Sequence, residues 1–162
     1  MSNLGSLNEA VREGNLERVK ELLKDNDRLV LSKDSFGWTP LHYAVVGDQK
    51  EVAELLLASK AEVDAKNSQG ETPLHVAARL GSRLVAELLL ASKAEVDAKD
   101  DYGGTPLHAA AWNGHRDVAQ LLLANQADAN ARDNDGLTPL HVAAREGRDD
   151  VAALLRHCGG HE

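Results

Sequence analysis

Several kinds of chemistry are excluded by what this chain lacks. It has one cysteine, Cys158, so no intramolecular disulfide can form. That fits a reducing compartment, and a cytoplasmic location is expected. No apolar run is long enough for a membrane-spanning helix. Met1 to Asn8 carries no basic, apolar leader. Cations are outnumbered, 18 to 26, giving a formal charge of −8. Such a surface repels nucleic acid and anionic membrane, so neither is an expected partner. There is no G-x-S-x-G, no phosphate loop and no H-E-x-x-H. No cofactor, metal or small-molecule substrate is therefore expected. Aromatic residues are scarce, with two tryptophans, two tyrosines and one phenylalanine. Prolines number four, and their placement organises the chain.

All four prolines stand in copies of Thr-Pro-Leu-His, which begin at Thr39, Thr72, Thr105 and Thr138. Each copy starts 33 residues after the last. The tetrapeptide reads as a helix start. Threonine accepts a bond from an unpaired amide of the first turn. Proline at the next position has no N–H to leave unsatisfied, and its φ already suits a helix. Histidine at the third helical position can reach back to the cap. Four such starts at one period define a repeat array.

The remainder of the period fills in around these anchors. Asp34, Asn67, Asp100 and Asp133 precede the threonines by five residues, and Gly37, Gly70, Gly103 and Gly136 by two, as turns require. Small apolar residues follow each histidine. Gly81, Gly114 and Gly147 then predict a left-handed helix end, with Asp48 in the first copy. A second helix follows, marked by Val52, Leu55 and Leu56 and their equivalents, among them Leu88, Leu89 and Leu155. Val52–Lys66 and Val85–Lys99 are identical, which reads as a recent duplication.

This pattern, D-x-x-G-x-T-P-L-H-x-A-A-x-x-G followed by a leucine-rich helix and an Ala-Asp-type segment, resembles the ankyrin repeat family. The resemblance covers nearly the whole chain. It implies an all-α repeat fold: a curved solenoid of stacked helix–turn–helix units joined by β-hairpin-like loops, generally a protein-binding module without catalytic residues. One departure is that the family's glycine before the Ala-Asp segment is replaced by Lys60, Lys93 and Gln126. Left-handed turns there would cost about 1 kcal/mol each.

A single domain spanning 1–162 is expected, divided into an N-terminal capping repeat at 1–33, standard repeats at 34–66, 67–99 and 100–132, and a last repeat with its cap at 133–162. In the degenerate first repeat, Ser6 to Glu9 reads as a capping box, with Leu7, Ala10 and Val11 on one face. Leu57, Leu90 and Leu123 align with Lys24 and Arg156 at the two ends. Apolar inside and charged outside is what a finite stack needs, so the chain reads as complete.

His42, His75, His108 and His141 recur one repeat apart, too far for a shared ion, and read as helix-start hydrogen-bonding groups. His157, Cys158 and His161 cluster in sequence at the terminus and could hold a metal adventitiously, but Glu162 is the one further acidic or thiol partner nearby. Lys33, Lys66, Lys99 and Arg132 form a basic column beside the acidic turn residues, expected to be a solvated row paired locally with them, or else to orient an acidic partner.

The functional signal lies in the aromatics, none of which falls in the leucine columns. The resemblance implies that loop tips and first-helix ends line the concave face that holds partners. Phe36, Trp38 and Tyr102 fall in the loops, and Trp112 near the end of a first helix. Gln69, Glu71, Arg79, Leu80, Asn113, Leu137 and Arg145 occupy the equivalent columns. A competing reading has Trp38 and Phe36 covering the junction with the capping repeat. Arg79 and Arg145 flank Trp112 in its column, a pattern suited to an apolar anchor with acidic neighbours. The expectation is a monomeric, non-enzymatic interaction scaffold, with an inhibitory or structural subunit as the alternative.

Overall fold

The computed structural model describes residues 3–162. Its helices are α1 (Asn3–Arg12), α2 (Leu16–Asp25), α3 (Pro40–Val46), α4 (Lys50–Ala58), α5 (Pro73–Leu80), α6 (Arg83–Ala91), α7 (Pro106–Asn113), α8 (Arg116–Ala124), α9 (Pro139–Arg145) and α10 (Asp149–His157). A 3₁₀ turn, Asp27–Leu31, follows α2. Among the described residues no strand occurs. The loops before the odd-numbered helices are hairpin-like turns. Each closes on itself through a pair such as Asp34 N–H to Trp38 C=O, and joins the next loop by a single backbone bond, as from Ser68 N–H to Phe36 C=O.

The odd-numbered helices stack in one row, with α1 on α3, α3 on α5, α5 on α7 and α7 on α9. The even-numbered helices form a second row behind them. The core runs continuously between the rows. Leu41, Leu74, Leu107 and Leu140 on one side and Leu56, Leu89, Leu122 and Leu155 on the other are all buried. No repeat can bury these leucines alone, so stacking is what removes them from water. Leu88, expected beside Leu89 in the core, is only half-buried, whereas Leu89 is fully covered.

Two expectations about the first repeat are corrected. Ser6 does not cap a helix, because α1 already begins at Asn3 and places Ser6 inside it. Lys24 is not the counterpart of Leu57 either. Gly14 and Asn15 donate backbone bonds to Val11 and Ala10, as Asp48 and Gln49 do to Val45 and Ala44. Gly14 and Asp48 also share positive φ. The first repeat is therefore offset by one residue more than the period of the others, and buried Leu23 takes the place of Leu57. Arg156, at the far end, is exposed as expected.

The glycine-free turns do hold left-handed backbone: φ is +70° at Lys60, +67° at Lys93 and +67° at Gln126. Asp48, at +48°, is compensated, since its carboxylate accepts the Val85 amide at 3.0 Å.

Two stability outcomes follow. Leu89→Ala should cost about 2–5 kcal/mol in urea denaturation, through lost burial and a cavity flanked on both sides. Leu155→Ala should cost less, because a terminal helix can close around the gap. Lys93→Gly should stabilise the fold by up to about 1 kcal/mol, read as a higher urea midpoint, with the gain reduced by added unfolded-state freedom.

Candidate functional site

The site rests on the four helix starts. In the first three, a backbone amide donates to histidine Nδ1: Thr39 to His42 at 3.2 Å, Thr72 to His75 at 3.2 Å, and Thr105 to His108 at 3.1 Å. An amide can only donate, so Nδ1 is the acceptor and Nε2 carries the proton. That Nε2–H is given to a carbonyl of the next repeat: Glu71 at 3.1 Å, Gly104 at 3.0 Å and Leu137 at 2.9 Å. The histidines are thus structural links, neutral by design of their surroundings. Burial first of all pushes their pKa values down, His42 to about 4, while the carbonyl bonds oppose this. Among the described residues no three histidine, cysteine, aspartate or glutamate side chains are grouped so as to hold a metal.

The basic column is also structural. Lys33, Lys66 and Lys99 donate to the carbonyls of Lys66, Lys99 and Arg132 at 2.7, 2.7 and 2.9 Å, and Arg132 to Gly136 C=O. Their partners are backbone carbonyls rather than the acidic turn residues expected from sequence.

Between the loops and the odd-numbered helices lies a hollow of about 400 Å³, centred on α7. It brings together Glu71, Arg79, Tyr102, Trp112, Asn113, Leu137 and Arg145 of the residues singled out from sequence. Phe36, Trp38, Gln69 and Leu80 are not part of its lining. Tyr102 and Trp112 are 69% and 48% exposed, so both rings are available. Asn113 is turned back onto its own helix, donating to Ala109 C=O at 2.9 Å.

The two arginines are committed within the chain. Arg79 pairs with Glu71 at 3.2 Å. Arg145 pairs with Glu146 at 3.3 Å and lies over the Trp112 ring, 5.2 Å from its centroid. The expected preference for acidic neighbours is therefore revised. The lining holds four carboxylates, Glu71, Asp100, Asp133 and Asp135, against these two guanidinium groups.

The equivalent space one end of the stack away is filled. Trp38, half-buried, lies 5.5 Å from the His42 ring and 5.2 Å from the Tyr43 ring. The Tyr43 hydroxyl donates to Asp34 Oδ2 at 2.5 Å. Burial and this bond push Tyr43 up to about 12. Burial pushes the Asp34 carboxyl up, but the Tyr43 hydroxyl and the Trp38 and Phe36 amides together hold it below the ordinary range. Trp38 thus covers its own repeat, whereas Phe36 is 71% exposed at a loop tip. Gly104 and Ala109, which stand in the columns of Trp38 and Tyr43, are what leave the hollow open near α7. Sequence reasoning fixed on large residues and passed over these two small ones.

The family model for ankyrin repeats (3 copies) matches residues 7–100 and 92–162. The chain belongs to the ankyrin repeat family. Ankyrin repeats are general protein–protein interaction modules and typically non-catalytic. A search of curated proteins gives no significant match. Among the described residues no helix is long and apolar enough to cross a membrane.

The histidines generate a pH prediction. Their folded pKa values lie below the unfolded value near 6.5, so the unfolded chain takes up protons first as pH falls. Stability should be full above pH 6.5 and decline towards pH 4, by about 3 kcal/mol for His42 alone. The depressed Asp34 carboxyl contributes only at lower pH, so the window belongs to the histidines. Urea midpoints between pH 7.5 and 4.5, with an NMR titration of the His42 ring, check both slope and assignment.

Proposed function

We propose that this ankyrin repeat chain is a non-enzymatic, monomeric scaffold of the cytoplasm that holds a protein partner on the face made by its loop tips and odd-numbered helices. One observation carries the reading. Seven large hydrophobic side chains are exposed among the described residues, and five of them, Phe36, Val46, Leu80, Tyr102 and Trp112, stand on loop tips or odd-numbered helices. The other two are Leu31 and Leu84. Exposed aromatic rings on a rigid support are favoured anchors for binding. The support is rigid in the relevant sense: the loops are stitched from repeat to repeat, so little ordering is needed when a partner arrives. Blocking or organising another protein would be one use of the same face.

Affinity capture from the source organism, followed by titration of the captured partner, tests this. Trp112→Ala should weaken binding by about 2 kcal/mol or more, the range of interface hot spots. Its melting temperature should stay close to that of the parent, because the ring is half-exposed. Glu87→Ala should change nothing, since Glu87 pairs only with Arg83 on the opposite row. Normal binding by Trp112→Ala together with loss in Glu87→Ala would move the site to the even-numbered helices.

A further inference from the structure

The chain contains a filled and an open version of the same space, and the filled one defines what fits the open one. Around α3, a tyrosine ring packs beside a tryptophan and gives its hydroxyl to the aspartate that opens the loop, Asp34. Around α7, the same aspartate column holds Asp100. Its Oδ1 accepts the Tyr102 and Gly104 amides, each at 2.9 Å, as Asp34 Oδ1 accepts those of Phe36 and Trp38. Asp34 Oδ2 is taken by Tyr43, but Ala109 in that column offers no hydroxyl, and no hydrogen bond to Asp100 Oδ2 occurs among the described residues. That oxygen lies beside Gly104, where an added Cβ would stand 3.3 Å from it. The missing side chains at 104 and 109 thus uncover a carboxylate oxygen at the wall of a hollow whose rim carries the Trp112 and Tyr102 rings.

We propose that this hollow receives a tyrosine side chain of the protein partner, its ring against Trp112 and Tyr102 and its hydroxyl donated to Asp100 Oδ2. Charge selects the residues around that tyrosine. Glu71 and Arg79 neutralise each other, and Arg145 is paired with Glu146, so Asp100, Asp133 and Asp135 leave the lining acidic and favour lysine or arginine beside the tyrosine. A phosphorylated tyrosine is excluded, because its dianion would meet Asp100 and Asp133. The inference rests on the proposed binding face and sharpens it to one side chain.

The probe is the peptide acetyl-Lys-Tyr-Lys-amide, titrated into the full chain while the Trp112 indole N–H and the Gly104 amide are followed by NMR. Saturable shifts at both are expected. The Lys-Phe-Lys peptide should bind about tenfold more weakly, since a hydrogen bond to a charged group is lost. Phosphorylation of the tyrosine should abolish the shifts. Asp100→Asn should weaken Lys-Tyr-Lys by about tenfold more than it weakens Lys-Phe-Lys, which loses only the charge attraction common to both peptides. The fold tolerates asparagine there, because Asn67 holds the same two amides in its own loop. Ala109→Tyr, which copies Tyr43, should close the hollow and remove binding of both peptides. Equal binding of the tyrosine and phenylalanine peptides, binding unaffected by Ala109→Tyr, or no saturable shift would overturn the proposal. A captured partner lost on Trp112→Ala but retained by Ala109→Tyr and Asp100→Asn would leave the binding face standing and remove the tyrosine.

Discussion

A neutral histidine at the third position of the helix starts at Thr39, Thr72 and Thr105 is the link on which the stack depends. Its Nδ1 accepts the amide of its own threonine, and its Nε2–H reaches the carbonyl just before the next threonine. One helix start therefore positions the peptide that leads into the next. The same side chain caps locally and sets the spacing between repeats, so an insertion inside a repeat would separate the two jobs. Protonation has the same effect, since a second ring N–H would face an amide that can only donate. At α9 the arrangement changes: the Thr138 hydroxyl donates to His161 C=O, and His141 Nδ1 is buried without a partner.

Other columns repeat the principle with different chemistry. The Lys33 column ties successive loops through carbonyls 33 residues on. Asp64 and Asp97 accept the amides of Glu95 and Asp128, each near 3.0 Å, and Asn130 accepts that of His161 at 2.7 Å. Behind them, Ser82, His115 and Arg148, at the starts of α6, α8 and α10, donate to the carbonyls of Val45, Arg79 and Trp112 on the odd-numbered helix of the preceding repeat. Hydrogen bonds of this kind are individually modest. Arranged in register along the stack, they resist sliding of one repeat past another, which the apolar core alone would tolerate because its leucines are interchangeable.

The fold was legible because its signals recur. Thr-Pro-Leu-His sets the helix starts, the leucine columns set the core, and the left-handed turns at Lys60, Lys93 and Gln126 followed from their places at helix ends. What misled was exact periodicity. The first repeat carries one extra residue of offset, so a fixed ruler placed Lys24 where Leu23 lies. The lysine column was misread for a different reason: charge invites pairing with charge, whereas a long lysine stem reaches a carbonyl one repeat away. At the site, Trp112 and Tyr102 stood out as large exposed rings, and both line the hollow. The hollow itself is made by side chains that are missing. Gly104 and Ala109 carry no signal until they are set beside Trp38 and Tyr43 in the same columns.

That comparison separates two kinds of position in one repeat. Columns fastened across repeats, such as the histidine and leucine columns, have little freedom, since a change in one unit disturbs its neighbours. Columns on the loop and odd-helix face vary widely: Trp38, Glu71, Gly104 and Leu137 occupy one, and Val46, Arg79, Trp112 and Arg145 another. Each unit can fill, charge or hollow out its own segment of the face without altering the stack behind it. Trp38 with Tyr43 closes one segment, Glu71 with Arg79 makes the next ionic, and Gly104 with Ala109 opens the third. An asymmetric surface is thereby carried on a periodic scaffold. Its open segment has a filled counterpart two repeats away, built from the same backbone, and that built-in contrast makes the shape and hydrogen-bonding demand of the hollow readable.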